Sequence, residues 1–127
     1  MKEYPANLKY TADHEWVSLN GNEVTVGITA FAAGELGDLV YLDLRAAGTY
    51  LEAGEVFGTI EAVKTVSDLI MPVSGTITAV NILAISAPEE IAGDVYGMAG
   101  WLIKVLLEDP AETEGLLERG AYYKLIA

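Results

Sequence analysis

Short apolar segments of strand length, each ended by turn-forming residues, recur along most of this 127-residue chain. Runs of about four to eight residues that are rich in β-branched and aromatic side chains and bounded by Gly, Pro, Asn or Asp are typical of β-strands. Two of these runs flank Asn20-Gly21, which favours a type I′ hairpin in which both turn residues take positive φ. The pattern predicts a mainly β protein with strands in "HEWVSL", "EVTVGI", "DLVYLDL", "EVFGTIEAV", "TVSDLIM", "GTITAVNI" and "WLIKVLL".

Helical signals are few and short. The segment "ITAFAAGEL" has apolar residues at helical spacing and stops at Gly37, which suits a C-cap. The segment "DPAE" combines an N-cap at Asp109, a first-turn proline and a reciprocal capping acid, so it predicts the start of a helix. "AYYKLI" predicts a final short helix. Since no linker or repeat interrupts the chain, we expect one domain over 1–127, with a core about 8–108 and a C-terminal helical segment about 109–127.

The charge balance restricts the partners. Seven Lys and Arg against 19 Asp and Glu give a formal net charge of −12. Such a chain is repelled by nucleic acid and by anionic membrane surfaces, so its partners should present basic surfaces. The chain has no cysteine, which excludes disulfides and thiolate metal sites. Sulfur redox chemistry would therefore have to come from a cofactor.

One uncharged run, from Leu69 to Pro88, is long enough in principle to cross a bilayer. Pro72, Ser74 and Gly75 divide it into strand-sized pieces, which favours buried strands joined by a turn. The N-terminal "MKEYPANLKY" has no apolar signal-peptide region, so we expect a cytoplasmic protein with no membrane segment.

Lys64 stands alone in the strand-like run "TIEAVKTVSDL". One predicted strand runs into it and another leaves it, which places it at a hairpin tip with Glu61 and Asp68 on the two arms. It is either an ordinary solvated lysine or a covalent attachment point. A lysine becomes a nucleophile by itself through desolvation or a cationic neighbour, and the sequence predicts neither here. His14 has no partner ligands in the sequence, so we predict no metal site.

The segment "GTIEAVKTVSDLIMPVSGTI" resembles the lipoyl-lysine segment of the glycine cleavage system H proteins. "LKYTADHEWV", "VGIT", "LGDLVYLDL" and "YGMAGWLIKV" follow the order of the same family, so the resemblance covers roughly the whole chain up to its C-terminal helices. Lipoyl domains of 2-oxoacid dehydrogenase acyltransferases share the hairpin but lack the "HEWV" and "GW" flanks. Biotinyl domains prefer Met on both sides of the lysine, where this chain has Val63 and Thr65.

The resemblance implies a barrel-sandwich hybrid of the lipoyl/biotinyl type, in which two antiparallel sheets pack together with a few short helices. It implies a single lipoyl-carrier domain, a monomer, with lipoate joined covalently to Lys64. The implied role is that of a carrier, not an enzyme, which takes the aminomethyl group of glycine from the glycine decarboxylase to the aminomethyltransferase. Dihydrolipoamide dehydrogenase would reoxidise the arm. A lipoate ligase or a lipoyl/octanoyl transferase would install it and recognise Glu61 and Asp68.

Glu15 is a candidate contact for the loaded arm, because an acid beside Trp16 would hold a cationic group in a cleft. The chain departs from the family pattern at Phe31, Ala84 and Gly93, which affects the expected surroundings of that cleft. Two other functions remain open at this point. One is a lipoyl donor that relays lipoate to other carriers, and the other is an unmodified interaction module with an acidic surface.

Overall fold

The computed structural model describes residues 4–127, and these form two antiparallel sheets with a few short helices. A six-stranded sheet has the order β1-β2-β3-β9-β8-β5, and a three-stranded sheet has the order β4-β6-β7. The mainly β, two-sheet prediction is confirmed. The strands are β1 (Lys9–Tyr10), β2 (Glu15–Asn20), β3 (Glu23–Ile28), β4 (Leu39–Leu44), β5 (Tyr50–Leu51), β6 (Val56–Ala62), β7 (Val66–Ile70), β8 (Gly75–Val80) and β9 (Trp101–Leu107).

The β2–β3 hairpin forms as predicted, but its turn differs. Asn20 pairs with Glu23, so the two turn residues are Gly21 and Asn22, not Asn20 and Gly21. Gly21 has φ +65°, whereas Asn22 is not in the positive region. Positive φ at the first turn residue alone is the signature of a type II′ turn, so the type I′ prediction was wrong. The register still directs Val17, Val24 and Val26 into the core.

The main core lies between the two sheets, where alternate residues of the strands point inward. Residues with no exposed surface include Val26 and Val105 of the large sheet and Phe57 and Ile60 of the small one. The segment from Leu69 to Pro88 contributes β7, β8 and a short helix to this packing. No helix within residues 4–127 is long and apolar enough to span a bilayer.

The helices agree with the sequence signals in part. Helix α1 (Ala30–Leu36) begins after Thr29, whose side chain accepts from the Ala32 N–H, and ends at Gly37, as predicted. Helix α2 (Ile82–Ser86) begins at the last residue of the predicted strand "GTITAVNI" and is not among the predicted helices. A 3₁₀ helix (Pro88–Gly93) follows α2.

The C-terminal segment begins with a 3₁₀ helix (Pro110–Gly115) capped by the Asp109 side chain. Glu112 does not complete the predicted capping box, because its carboxylate accepts from the N–H and the hydroxyl of Ser74 instead. Helix α3 (Arg119–Ile126) is the predicted final helix. It buries Tyr122 in a second, smaller core, which we call the tyrosine cluster: Tyr4, Leu8, Tyr10, Trp16 and Tyr122.

Candidate functional site

Lys64 lies at the tip of the β6–β7 hairpin, as the sequence predicted. Val63 and Lys64 form the turn, which is closed by a 2.7 Å hydrogen bond from the Ala62 N–H to the Thr65 carbonyl. The Val63 N–H donates to the Asp38 carbonyl at 3.0 Å, which ties the turn to the start of β4. Lys64 is exposed, and within residues 4–127 no hydrogen bond or ion pair engages its ammonium. The backbone of the tip is therefore fixed while the amine remains free.

Glu61 and Asp68 lie on the outer face of the hairpin and are both exposed. Glu61 is opposite Val66, and Asp68 is opposite Thr59, so the two acids are diagonal neighbours and do not face each other. They flank the base of the tip on the same side of the sheet. The arrangement presents two carboxylates to any protein that approaches Lys64.

A cavity of about 220 Å³ lies beside the hairpin, between α1 and β7. We call it the acidic cavity, because among residues 4–127 four carboxylates and no Lys or Arg line it. A Cβ atom built on Gly37 would lie 3.9 Å from Cε of Lys64, so the lysine stem passes the end of α1 that forms one wall. The lining residues are Asp13, His14, Glu15, Ile28, Phe31, Ala32, Glu35, Leu36, Ile60, Ser67, Asp68 and Leu69.

Glu15 is the buried acid of this cavity, with 2% of its surface exposed. Its Oε2 accepts from the Ile70 N–H at 2.8 Å, while its Oε1 is buried and has no hydrogen-bond partner in the described part of the chain. Burial raises the pKa of Glu15 to about 8, the Ile70 hydrogen bond opposes that change, and the nearby charge of Asp13 adds to it. Burial therefore favours the protonated form of Glu15 at neutral pH.

Glu15 and Trp16 are neighbours in the sequence but not in one cleft. Successive residues of a strand point to opposite faces, and Trp16 enters a separate cavity with Tyr96 and Trp101. The Trp16 indole donates to the Val95 carbonyl at 2.8 Å. The expected pairing of Glu15 with Trp16 was therefore wrong: the walls around Glu15 come from α1 and β7.

Sequence reasoning missed two other acids of the cavity. Asp13 precedes β2, and Glu35 occupies the last turn of α1; neither stands in a recognisable motif. Of the three departures from the family pattern, only Phe31 lines the cavity. Ala84 is buried in α2, and Gly93 is exposed with open space where a Cβ would be.

These features define a class of protein. A two-sheet domain that fixes a hairpin, leaves one lysine amine free at its tip and builds a cavity within reach of that side chain has the architecture of a swinging-arm carrier. An exposed amine at a hairpin tip is accessible to an enzyme that joins a carboxylic acid to it by an amide.

The profile of the family described as Glycine cleavage H-protein matches residues 8–127. The chain is 52% identical over 124 residues to the glycine cleavage system H protein of Chlorobium limicola, covering 96% of each chain. It is 50% identical over 120 residues to that of Cyanothece sp., covering 94% of this chain and 92% of the relative.

A crystal structure of a glycine cleavage system H protein from Mycobacterium marinum superposes with a TM-score of 0.86 at 44% identity, covering 94% of this chain and 96% of that one. The chain belongs to the glycine cleavage H-protein family. Its members carry lipoate covalently on a lysine and act as carrier subunits of the glycine cleavage system, not as catalysts. The partners of this chain are therefore other proteins of the glycine cleavage system.

Proposed function

We propose that Lys64 is the lipoylated residue, and that this chain carries the aminomethyl group of glycine from the glycine decarboxylase to the aminomethyltransferase. Dihydrolipoamide dehydrogenase would then reoxidise the arm. The observation that carries the proposal is the free Lys64 amine at a fixed hairpin tip, inside the segment that the family profile matches. Lipoate would supply the two sulfurs that a cysteine-free chain lacks.

We also propose that the acidic cavity is the resting place of the loaded arm. An aminomethyl group is cationic at neutral pH, and four carboxylates surround the space beside Lys64. The unpartnered Oε1 of Glu15 gives such a cation a buried anchor, because a nearby positive charge favours the ionised carboxylate. Enclosure by Phe31, Leu36 and Leu69 would keep water from the labile aminomethyl end.

Glu61 and Asp68 are proposed as contacts for the enzyme that installs lipoate, a lipoate ligase or a lipoyl/octanoyl transferase. Both are exposed beside the tip, where they would orient the hairpin without taking part in bond formation. We further propose one lipoyl-carrier domain over 1–127 that acts as a cytoplasmic monomer. Membership of the H-protein family favours the carrier role over the lipoyl-relay alternative and over an unmodified module.

The attachment site is tested with Lys64→Arg, which keeps the charge and length but cannot be acylated at neutral pH. Lys124→Arg is the matched control, since it makes the same exchange at another exposed lysine. With lipoate and a modifying enzyme present, intact mass should show addition to the parent and to the control but not to Lys64→Arg. Lipoate on another lysine, or carrier activity in Lys64→Arg above a no-protein blank, would place the arm elsewhere.

The cavity is tested with Glu15→Gln, which removes the charge and keeps the size. Loaded carrier made from this variant should release ammonia and formaldehyde faster than the parent. Glu90→Gln removes an equal charge from the exposed 3₁₀ helix and should release at the parental rate. If Glu15→Gln also releases at the parental rate, Glu15 does not anchor the arm.

A further inference from the structure

His14 has an unusual backbone. It is the one residue other than glycine with positive φ in the described part of the chain, at φ +67°. That region is unfavourable for a residue with a side chain, and it persists when the surroundings fix it. The His14 N–H donates to the Thr11 carbonyl, and the His14 carbonyl accepts from the Thr29 N–H, each at 3.0 Å. Because the next residue is Glu15, this conformation sets the direction from which Glu15 enters the acidic cavity.

The His14 side chain is held from the C-terminal helix. Its Nδ1 is hydrogen-bonded to the Tyr122 hydroxyl at 3.0 Å, and that hydroxyl is hydrogen-bonded to Oγ1 of Thr29 at 2.7 Å. Tyr122 is fully buried, and its ring stacks on Tyr10 with centroids 4.9 Å apart. Burial raises the pKa of Tyr122 to about 12, so the hydroxyl keeps its proton.

The imidazole is packed from the cavity side as well. The Phe31 ring lies 4.8 Å from it, and both rings line the acidic cavity. Tyr122 does not line this cavity, but its hydroxyl contacts two residues beside it. One is His14, which lines the cavity, and the other is Thr29, the N-cap of α1. One buried hydroxyl therefore joins the C-terminal helix to His14, which lines the cavity, and to the N-cap of α1, which forms one wall.

We propose that Tyr122 is a positioning residue for the acidic cavity: its hydroxyl holds His14 in the left-handed conformation and so presents Glu15 to the loaded arm. This inference rests on the proposed role of the cavity as the resting place of the arm. It assigns helix α3, which is remote from Lys64 in the sequence, a part in protecting the arm.

The test compares Tyr122→Phe with Tyr10→Phe. Both remove one buried hydroxyl and keep a ring in the tyrosine cluster, but the Tyr10 hydroxyl donates to the Pro5 carbonyl and does not touch His14. The first readout is made on the unmodified protein: the imidazole ¹⁵N shifts of His14 and the amide shift of Ile70, whose N–H donates to Glu15. The second is the rate at which the loaded carrier releases ammonia and formaldehyde.

Tyr122→Phe should move both sets of signals and speed release roughly two- to tenfold, the range that corresponds to loss of one ordinary hydrogen bond. Tyr10→Phe should leave the His14 and Ile70 signals and the release rate close to those of the parent. His14→Asn is a second variant, because Asn tolerates the left-handed region while losing the imidazole. If Tyr122 acts through His14, Tyr122→Phe should add nothing to the release rate of His14→Asn.

Unchanged His14 and Ile70 signals in Tyr122→Phe would overturn the inference. So would equal acceleration of release by Tyr122→Phe and Tyr10→Phe, since that would report a general loosening of the tyrosine cluster. The proposed function fails in a different way. If Tyr122→Phe moves the signals while Glu15→Gln releases at the parental rate, the positioning of His14 stands and the resting role of the cavity does not.

Discussion

Glu15 should make this protein lose folding stability as pH rises through a range where ordinary carboxyl groups no longer titrate. Its pKa is about 8 in the folded protein and 4.5 when unperturbed. Between these values the unfolded chain has lost the Glu15 proton and the folded chain still holds it. The free energy of unfolding then falls by about 1.4 kcal/mol per pH unit. Over the whole interval the loss is about 5 kcal/mol, a large part of the roughly 5–15 kcal/mol that stabilises a typical domain.

The limits of that window follow from the same pKa values. Below about pH 4.5 both states hold the proton, so burial of the neutral acid carries no ionisation cost. Above about pH 8 both states are ionised and the loss is constant. Glu15→Gln keeps the side-chain size and an acceptor for the Ile70 N–H, but it does not titrate. Since the other 18 of the 19 acidic residues are common to both proteins, the difference between variant and parent isolates Glu15.

The assay is urea unfolding of the unmodified protein, followed by circular dichroism at intervals from about pH 5 to about pH 9. Relative to the parent, Glu15→Gln should gain stability steadily with pH, by several kcal/mol in total, and then level off. Glu90→Gln should follow the parent throughout, because that acid is exposed. If the difference in free energy of unfolding between Glu15→Gln and the parent changes by less than about 1 kcal/mol over this pH range, Glu15 ionises normally in the folded protein, and the argument that it is a buried, protonated acid is wrong.

Three further outcomes are expected. A Cβ at Gly58 would lie 2.2 Å from the Asp43 carbonyl oxygen, so Gly58→Ala should lower the free energy of unfolding in urea by about 1–3 kcal/mol. Gly34 lies on α1 with open space around it, so Gly34→Ala should raise the free energy of unfolding by about 0.5–1 kcal/mol. The reverse order of the two variants would contradict this packing. The apparent affinity for the glycine decarboxylase should weaken as salt rises, since the net charge is −12, and salt-independent kinetics would indicate apolar docking. Release from the loaded carrier should slow as pH rises and Glu15 ionises, and this should occur below the pKa of about 8 that Glu15 has in the unmodified protein, because the cationic load lowers the pKa of the carboxyl; Glu15→Gln should remove the pH dependence.

The strands and the β6–β7 hairpin were predictable because the patterns that indicate them lie within a few residues of one another in the sequence. Alternating apolar residues and turn dipeptides mark seven of the strands, and Lys64 stands between two of them. The short strands β1 and β5 have two residues each, too few for a period to show. The predicted strand "GTITAVNI" runs to Ile82, whereas β8 ends at Val80 and helix α2 begins at Ile82. Its start is set by Asn81, whose Oδ1 caps the Leu83 N–H while its Nδ2 donates to the Met98 and Trp101 carbonyls.

Features that depend on distant residues were not predictable in this way. Glu112 fits a capping box in the sequence, yet Ser74, 38 residues away, offers its carboxylate two donors. The acidic cavity combines Asp13, Glu35 and Asp68 from three separate elements, and only the fold brings them together. The sequence predicts Glu15 as a cleft residue because Trp16 follows it, but successive residues of a strand point to opposite faces, so Glu15 and Trp16 line different cavities.

The connection between the hairpin and the cavity would let the proposed arm on Lys64 take two positions, one inside the cavity and one outside it. Strand β7 begins two residues after Lys64 and carries Asp68 in the cavity wall, while Gly37, at the end of α1, lies beside the lysine stem. The Val63 N–H is bonded to Asp38 in the segment that joins α1 to β4, so the base of the arm and both walls of the cavity belong to one hydrogen-bonded unit. In the proposed arrangement, departure of the arm would require only rotation of side-chain bonds. Retention would then depend on the contacts between the cavity and the arm, so the charge of Glu15 would determine how long a cationic group stays protected.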